Sequence, residues 1–218
     1  MATNPDQQIL LGFIQLIAIV STLGVFFMPL KTILNIKEKR TVGSVAGIQF
    51  LSTALNCFLW IAYGILTGNG TMLFTNSVGL LLAFYYVYNY WLYSSSRDYL
   101  YKIMVASILA ISIIFISFVG TNNNFDQRVE RLGFQASVVC ILMFAAPLER
   151  LFQIIKIKNS EGMLKGVAVL SMMCSLSWLV FGLLIIDKYI YIPNFLASLI
   201  SITQLLVILK YPPSPQLL

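Results

Sequence analysis

The chain has 218 residues, 59% of them hydrophobic and only 10% charged, with a net charge of +6 and no histidine. Seven spans of about 20 apolar residues, each able to cross ~30 Å of hydrocarbon, would take up nearly all of that apolar content and leave only short connections. A separate soluble domain is excluded, and the chain reads as a polytopic membrane protein.

Apolar runs fall at about 9–30, 45–66, 71–93, 100–120, 132–149, 167–186 and 189–209. Lipid offers no partner to backbone amides, so each run is expected to be a helix. The segment before the first run, Met1 to Gln8, holds Asp6 and no Lys or Arg. It lacks the basic start of a cleaved signal peptide, and the first run is expected to be retained as a helix. Lys and Arg alternate in number between connections. One side receives eleven (Lys31, Lys37, Lys39, Arg40, Arg97, Lys102, Arg150, Lys156, Lys158, Lys165, Lys210), and the other receives three (Arg128, Arg131, Lys188). Positive charge marks the cytosolic side, which puts the N-terminus outside and the C-terminus in the cytosol. The tail Tyr211–Leu218 is short and proline-rich, and disorder is expected there. The sequon at Asn69 sits in a loop too short to favour glycosylation.

Several chemistries drop out. Without His the usual general base and commonest metal ligand are missing. Cys57, Cys140 and Cys174 lie in apolar runs without CxxC spacing. There is no glycine-rich phosphate loop, no paired intramembrane carboxylate and no nucleophile–base set, so neither an enzyme, a metal nor a cofactor is expected. The basic residues lie in gaps between spans rather than on one soluble face, which speaks against nucleic acid.

The chain repeats itself at an offset of 118 residues. Pro29-Leu30 returns as Pro147-Leu148, the stretch Trp60–Leu66 returns as Trp178–Leu184, and Asn76 returns as Asn194. A basic stretch follows each Pro-Leu, from Lys37 to Gly43 and from Lys156 to Gly162. Helices one to three form one copy and five to seven the other. Three helices would invert the second copy, and the fourth crossing restores its direction. The halves are then parallel, a transporter plan with substrate held near the midplane. The expected division is 9–93 for the first three-helix bundle, 94–126 for the linker helix, 127–211 for the second bundle and 212–218 for a cytosolic tail.

This 3+1+3 layout, with Pro-Leu ending helices one and five, Leu55-Asn-Cys-Phe-Leu-Trp60, Asp187–Asn194 and the Lys-x-Lys loops, resembles the SWEET sugar transporters over about residues 9–211. The resemblance implies a facilitative uniporter that moves mono- or disaccharides by alternating access, with a small-molecule sugar and the lipid bilayer as its partners. Multi-pass insertion is expected, in the plasma membrane first, with vacuolar or Golgi membranes as alternatives. Homo-oligomerisation stays open.

Asn76 and Asn194 fall near the outer starts of helices three and seven. A primary amide is costly in lipid unless paired, so each faces another helix or a polar cavity. Two donors and an acceptor suit sugar hydroxyls, and the paired placement favours binding. The resemblance implies the same role. Trp60 and Trp178 are either interface anchors or rings that stack on a sugar; the resemblance places both in the pocket. It adds Asn56 and Cys174, one turn before the tryptophans, and Val25 and Met143, four residues before the prolines. The bulk of Asn56 and Met143 leans the substrate towards a hexose such as glucose.

Pro29 and Pro147 are expected near the inner ends of their helices, where proline allows a kink; the resemblance implies that they act as hinges. Gln49 and Leu164 stand where the family has two further prolines, and Gly47 and Gly166 are the candidates for a bend there. Tyr63 and Asp187 match the family's extracellular gate, where a phenol–carboxylate hydrogen bond would form and break. Two alternatives remain. A seven-helix receptor shares the topology, but lacks a half-chain repeat and would carry Asp-Arg-Tyr and Asn-Pro-x-x-Tyr, absent here. A Pro-Gln-loop amino-acid exporter would carry Pro-Gln and intramembrane acids, where this chain has Pro-Leu twice.

Overall fold

The computed structural model describes residues 5–95, 97–119, 124–161, 163 and 165–213, and the regular elements among them are all α-helices. In chain order these are α1 (Pro5–Phe27), α2 (Leu30–Lys39), α3 (Ile48–Thr67), α4 (Gly70–Tyr93), α5 (Arg97–Val119), α6 (Phe125–Leu142), α7 (Ala145–Ile157), α8 (Lys165–Leu184) and α9 (Lys188–Lys210). Among the described residues, six stretches are long and apolar enough to cross a membrane. Four are the single helices α3, α4, α8 and α9, and two are composites: α1 with α2 over Pro5–Lys39, and α6 with α7 over Phe125–Ile157. The fourth expected span is α5, whose 23 residues reach about 35 Å at 1.5 Å per residue.

The composites correct one expectation. Pro29 stands just past the end of α1, as expected, but helical chain resumes in α2 and runs on to Lys39; Pro147 is not at an end but is the third residue of α7, which runs on to Ile157. Proline withholds the N–H due to the carbonyl four residues back and crowds that carbonyl, so a helix can break anywhere in the intervening turn. In the first copy the break is at Met28–Pro29, and in the second at Met143–Phe144. The segments α2 and α7 then end alike. Arg40 (φ 56°) and Lys158 (φ 53°), 118 residues apart, cap α2 and α7 in the left-handed conformation. The first composite carries Asp6 and Glu38, and the second carries three acids, Asp126, Glu130 and Glu149. All three are exposed. Asp126 and Glu130 lie in the first two turns of α6, and Glu149 accepts a hydrogen bond from the Gln153 amide at 3.2 Å.

The helices wear their apolar side chains outward. On α4, Phe74, Leu81, Phe84, Tyr88 and Leu92 are exposed, whereas Thr75, Asn76, Gly79, Ala83, Tyr86 and Asn89 are buried. Small and polar groups face the protein and large hydrocarbons face out, as expected of a helix solvated by lipid.

The chain divides into two compact units, Met1–Val25 with Ser137–Leu218, and Phe26–Ala136. In the second of these, α3 and α4 pack as a hairpin, and α2 lies against α4. Its core holds Ile33 and Ile36 of α2 with Phe50, Tyr86 and Tyr90. In the other unit α8 and α9 form the corresponding hairpin. Both hairpins turn on the same pair of bonds. The N–H of Asn69 reaches the Gly64 carbonyl at 2.8 Å and that of Gly68 reaches Ile65 at 3.3 Å; Asp187 reaches Gly182 at 2.8 Å and Ile186 reaches Leu183 at 3.2 Å. The left-handed residue is Gly68 (φ 65°) in one turn and Ile186 (φ 58°) in the other.

Candidate functional site

In the unit Phe26–Ala136 the expected site residues lie on two helices. Trp60 of α3 is buried, and its indole N–H donates to Asn56 Oδ1 one turn back, at 3.2 Å. Tyr63 follows on the same helix, buried, with its ring edge-on to Trp60 at 5.8 Å between centroids. Asn76 of α4 is buried as well, and its Nδ2 donates to the Met72 carbonyl at 2.9 Å. That bond orients the amide, which has a second N–H and a carbonyl oxygen to offer. Asn69 caps the start of α4 by accepting from the Met72 N–H at 3.0 Å, a structural use for the sequon's asparagine.

The other unit repeats this arrangement with different support. Asn194 of α9 donates to the Ile190 carbonyl at 2.8 Å, the same bond one repeat later. Trp178 of α8 is buried with Phe181 edge-on at 5.4 Å, matching Trp60 and Tyr63. Its indole N–H does not turn back along its own helix. It donates to Thr22 Oγ1 of α1 at 2.7 Å, and Thr22 also lies 3.4 Å from the Cys174 sulfur. Beside it, Ser21 Oγ stands 3.4 Å from Ser177 Oγ and donates to the Ile17 carbonyl at 2.6 Å. Thr22, Ser21, Ser177 and Phe181 were not singled out from the sequence. The available signal was Ser21-Thr22 itself, a hydroxyl pair inside an apolar run one turn before Val25. Val25 and Met143 are both half-buried, and Met143 sits in the break between α6 and α7.

The hinge and gate residues are less uniform. Pro29 and Pro147 stand beside the two breaks. Gln49 is the second residue of α3, exposed, and its carbonyl accepts from Thr53 Oγ1 at 2.8 Å. Leu164 lies outside the described residues. Gly47 precedes α3, where a β-carbon would come within 2.6 Å of the Tyr90 ring, so its glycine is explained by close packing rather than by a bend. Asp187 caps α9, accepting from the Tyr189 N–H at 2.9 Å. A further proline, Pro193, lies buried inside α9. It has no N–H for the Tyr189 carbonyl, and Ser137 Oγ of α6 donates to that carbonyl at 2.9 Å.

Comparison with known proteins agrees with this geometry. The sequence profile of a family described as sugar efflux transporters for intercellular exchange (MtN3) matches twice, over residues 12–98 and 130–216, at the 118-residue offset of the repeat. The chain is 56% identical to Sugar transporter SWEET1 of Dictyostelium discoideum over 94% of each chain. It is 30% identical to Sugar transporter SWEET1 of Mus musculus, over 93% of this chain and 91% of that one. Among solved structures, a eukaryotic SWEET transporter superimposes with a TM-score of 0.84 at 23% identity, over 94% of this chain and 98% of that chain. The duplicated profile, the duplicated helix breaks and the relatives over nearly the whole length lead to one assignment: the chain belongs to the MtN3/SWEET family.

Proposed function

We propose that this protein is a facilitative sugar transporter that carries a hexose such as glucose down its gradient by alternating access. The observation that carries the reading is the duplicated set of Asn76 with Trp60 and Asn194 with Trp178. Each amide is oriented by its own helix at the same i−4 carbonyl, and each tryptophan is buried beside an edge-on aromatic. Oriented amides with buried indoles suit a ligand that presents hydroxyls around an apolar ring face. The relatives named as sugar transporters support the substrate class.

In this reading Asn76, Trp60 and Asn56 of one unit, and Asn194, Trp178 and Cys174 of the other, contact the sugar, and Val25 and Met143 limit its size. Pro29 and Pro147 permit the bending that alternates access, and Tyr63 and Asp187 act in outer gating. Gln49 and Leu164, which replace the family's other prolines, occupy the remaining hinge positions. The N-terminus lies outside and the C-terminus in the cytosol, as the distribution of Lys and Arg requires. Counterflow in proteoliposomes with labelled glucose, fructose and sucrose tests the proposal. Glucose should exchange fastest; exchange of none of the three would refute it.

A further inference from the structure

Phe26, at the end of α1, is held by α4 in two ways. As the next-to-last residue of α1, its carbonyl is among those at a helix C-terminus that have no intrahelical donor. Within a bilayer water does not supply one. Tyr86 does, donating its hydroxyl to the Phe26 carbonyl at 2.9 Å. Two turns earlier on the same face of α4 stands Gly79, where a β-carbon would overlap the Phe26 ring. Tyr86 is itself fixed: its ring is buried with Ile33, Ile36, Phe50 and Tyr90, and meets Phe50 at 5.8 Å. Since Ile33 and Ile36 belong to α2, α4 holds the chain on both sides of the Met28–Pro29 break. In the second copy Gln204 stands at the position of Tyr86, and its amide N–H points to the Pro147 carbonyl at 3.5 Å, the long limit of a hydrogen bond.

We propose that Tyr86 is a positioning residue of the transport cycle, whose phenol supplies the donor that the break takes from the Phe26 carbonyl and so fixes the corner between α1 and α2. The proposal rests on the transport reading above for its kinetic consequence, but not for the bond itself. Tyr86→Phe keeps the ring and removes the donor. Labelled-glucose counterflow should fall at least about threefold while equilibrium glucose affinity stays within about twofold, because a fixed corner acts on interconversion rather than on binding. Gly79→Ala, whose β-carbon meets the Phe26 ring and the Cys57 sulfur but leaves the phenol, should give the same split, and should still give it on a Cys57→Ala background, where the sulfur contact is gone.

Amide hydrogen exchange over residues 27–33 needs no sugar. Tyr86→Phe should speed it by about tenfold in an otherwise native chain and leave it unchanged on a Pro29→Ala background, where the helix can run through and the Leu30 N–H can reach Phe26. Wild-type counterflow in Tyr86→Phe, a matching loss of affinity, or equal acceleration of exchange in both backgrounds would overturn the proposal. Absence of glucose counterflow in the wild-type protein would instead count against the transport reading, and the exchange experiment would still decide the bond.

Discussion

The two copies of the repeat hold equivalent backbone features with different side chains. Breaks stand beside Pro29 and Pro147, left-handed caps at Arg40 and Lys158, and tight hairpin turns at Gly68 and Ile186. In the first copy Trp60 is held by Asn56 of its own helix, and the buried face of α4 continues through Ala83, Tyr86 and Tyr90. In the second copy Trp178 is held by a hydroxyl from α1, Ser175 Oγ stands 3.3 Å from Ser201 Oγ, and Ser137 serves the carbonyl below Pro193. The first copy thus joins aromatic packing to phenol hydrogen bonds, Tyr86 to the Phe26 carbonyl and Tyr90 to the Val45 carbonyl, where the second uses the hydroxyls of serine and threonine. The shared backbone geometry tolerates either means of support, because each satisfies polar groups away from water.

The largest effects should appear where the copies agree. Asn76→Ala and Asn194→Ala should each abolish glucose counterflow, losing at least about tenfold, with elution profiles and thermal stability close to wild type; each removes groups worth roughly 1–3 kcal/mol to a bound sugar. Unequal losses would mean that the copies do not share the substrate evenly. Next comes the tryptophan support. Thr22→Val leaves the buried Trp178 N–H without its 2.7 Å acceptor and should weaken transport several-fold, whereas Thr22→Ser should retain it. Retention of full activity in Thr22→Val would show that Trp178, like Trp60, manages without help from another helix.

Stability should report the smaller differences. Ser137→Ala removes a donor to the Tyr189 carbonyl and should destabilise the detergent-solubilised protein by about 1 kcal/mol, an effect that Pro193→Ala should relieve by restoring a backbone N–H. The first copy has Ile19 and Thr75 at the matching positions, so Ile19→Ala should show no such relief when combined with a change at Thr75. The hairpin turns give the finest comparison. A β-branched residue in the left-handed region is strained, so Gly68→Ile should destabilise by about 1–2 kcal/mol. Ile186→Gly should stabilise by only about 0.5 kcal/mol, since glycine also loosens the unfolded chain.

Much of the fold was legible because lipid imposes it. Apolar runs had to be helices, and Pro29, Pro147, Trp60, Trp178, Asn76 and Asn194 exposed the repeat through their common spacing. The run of hydrophobicity ended near residues 30 and 149, but the helical chain did not, because α2 and α7 are amphipathic and continue past the apolar stretch with Lys37, Lys39 and Lys156 in their last turns. Hydropathy measures burial in hydrocarbon, and it cannot mark where such a helix stops. The site was legible where the residues repeat. Thr22 and Ser137 were missed because the repeat offers no counterpart to point at them: Thr22 serves the Trp178 N–H where Asn56 serves that of Trp60, and Ser137 serves the Tyr189 carbonyl below Pro193, where the first copy has Thr75 in place of a proline.

The passive character of the transport is the claim most exposed to a single measurement. The chain has no histidine, and the acids on the two composite stretches are exposed: Asp6 and Glu38 near the ends of Pro5–Lys39, Asp126 and Glu130 in the first two turns of α6, and Glu149 held by Gln153. A proton-coupled carrier would be expected to bury a carboxylate along its path. Sealed proteoliposomes with equal glucose on both faces and an imposed proton gradient should show no net accumulation on either side. Sustained uphill glucose movement that collapses with an uncoupler would contradict the account.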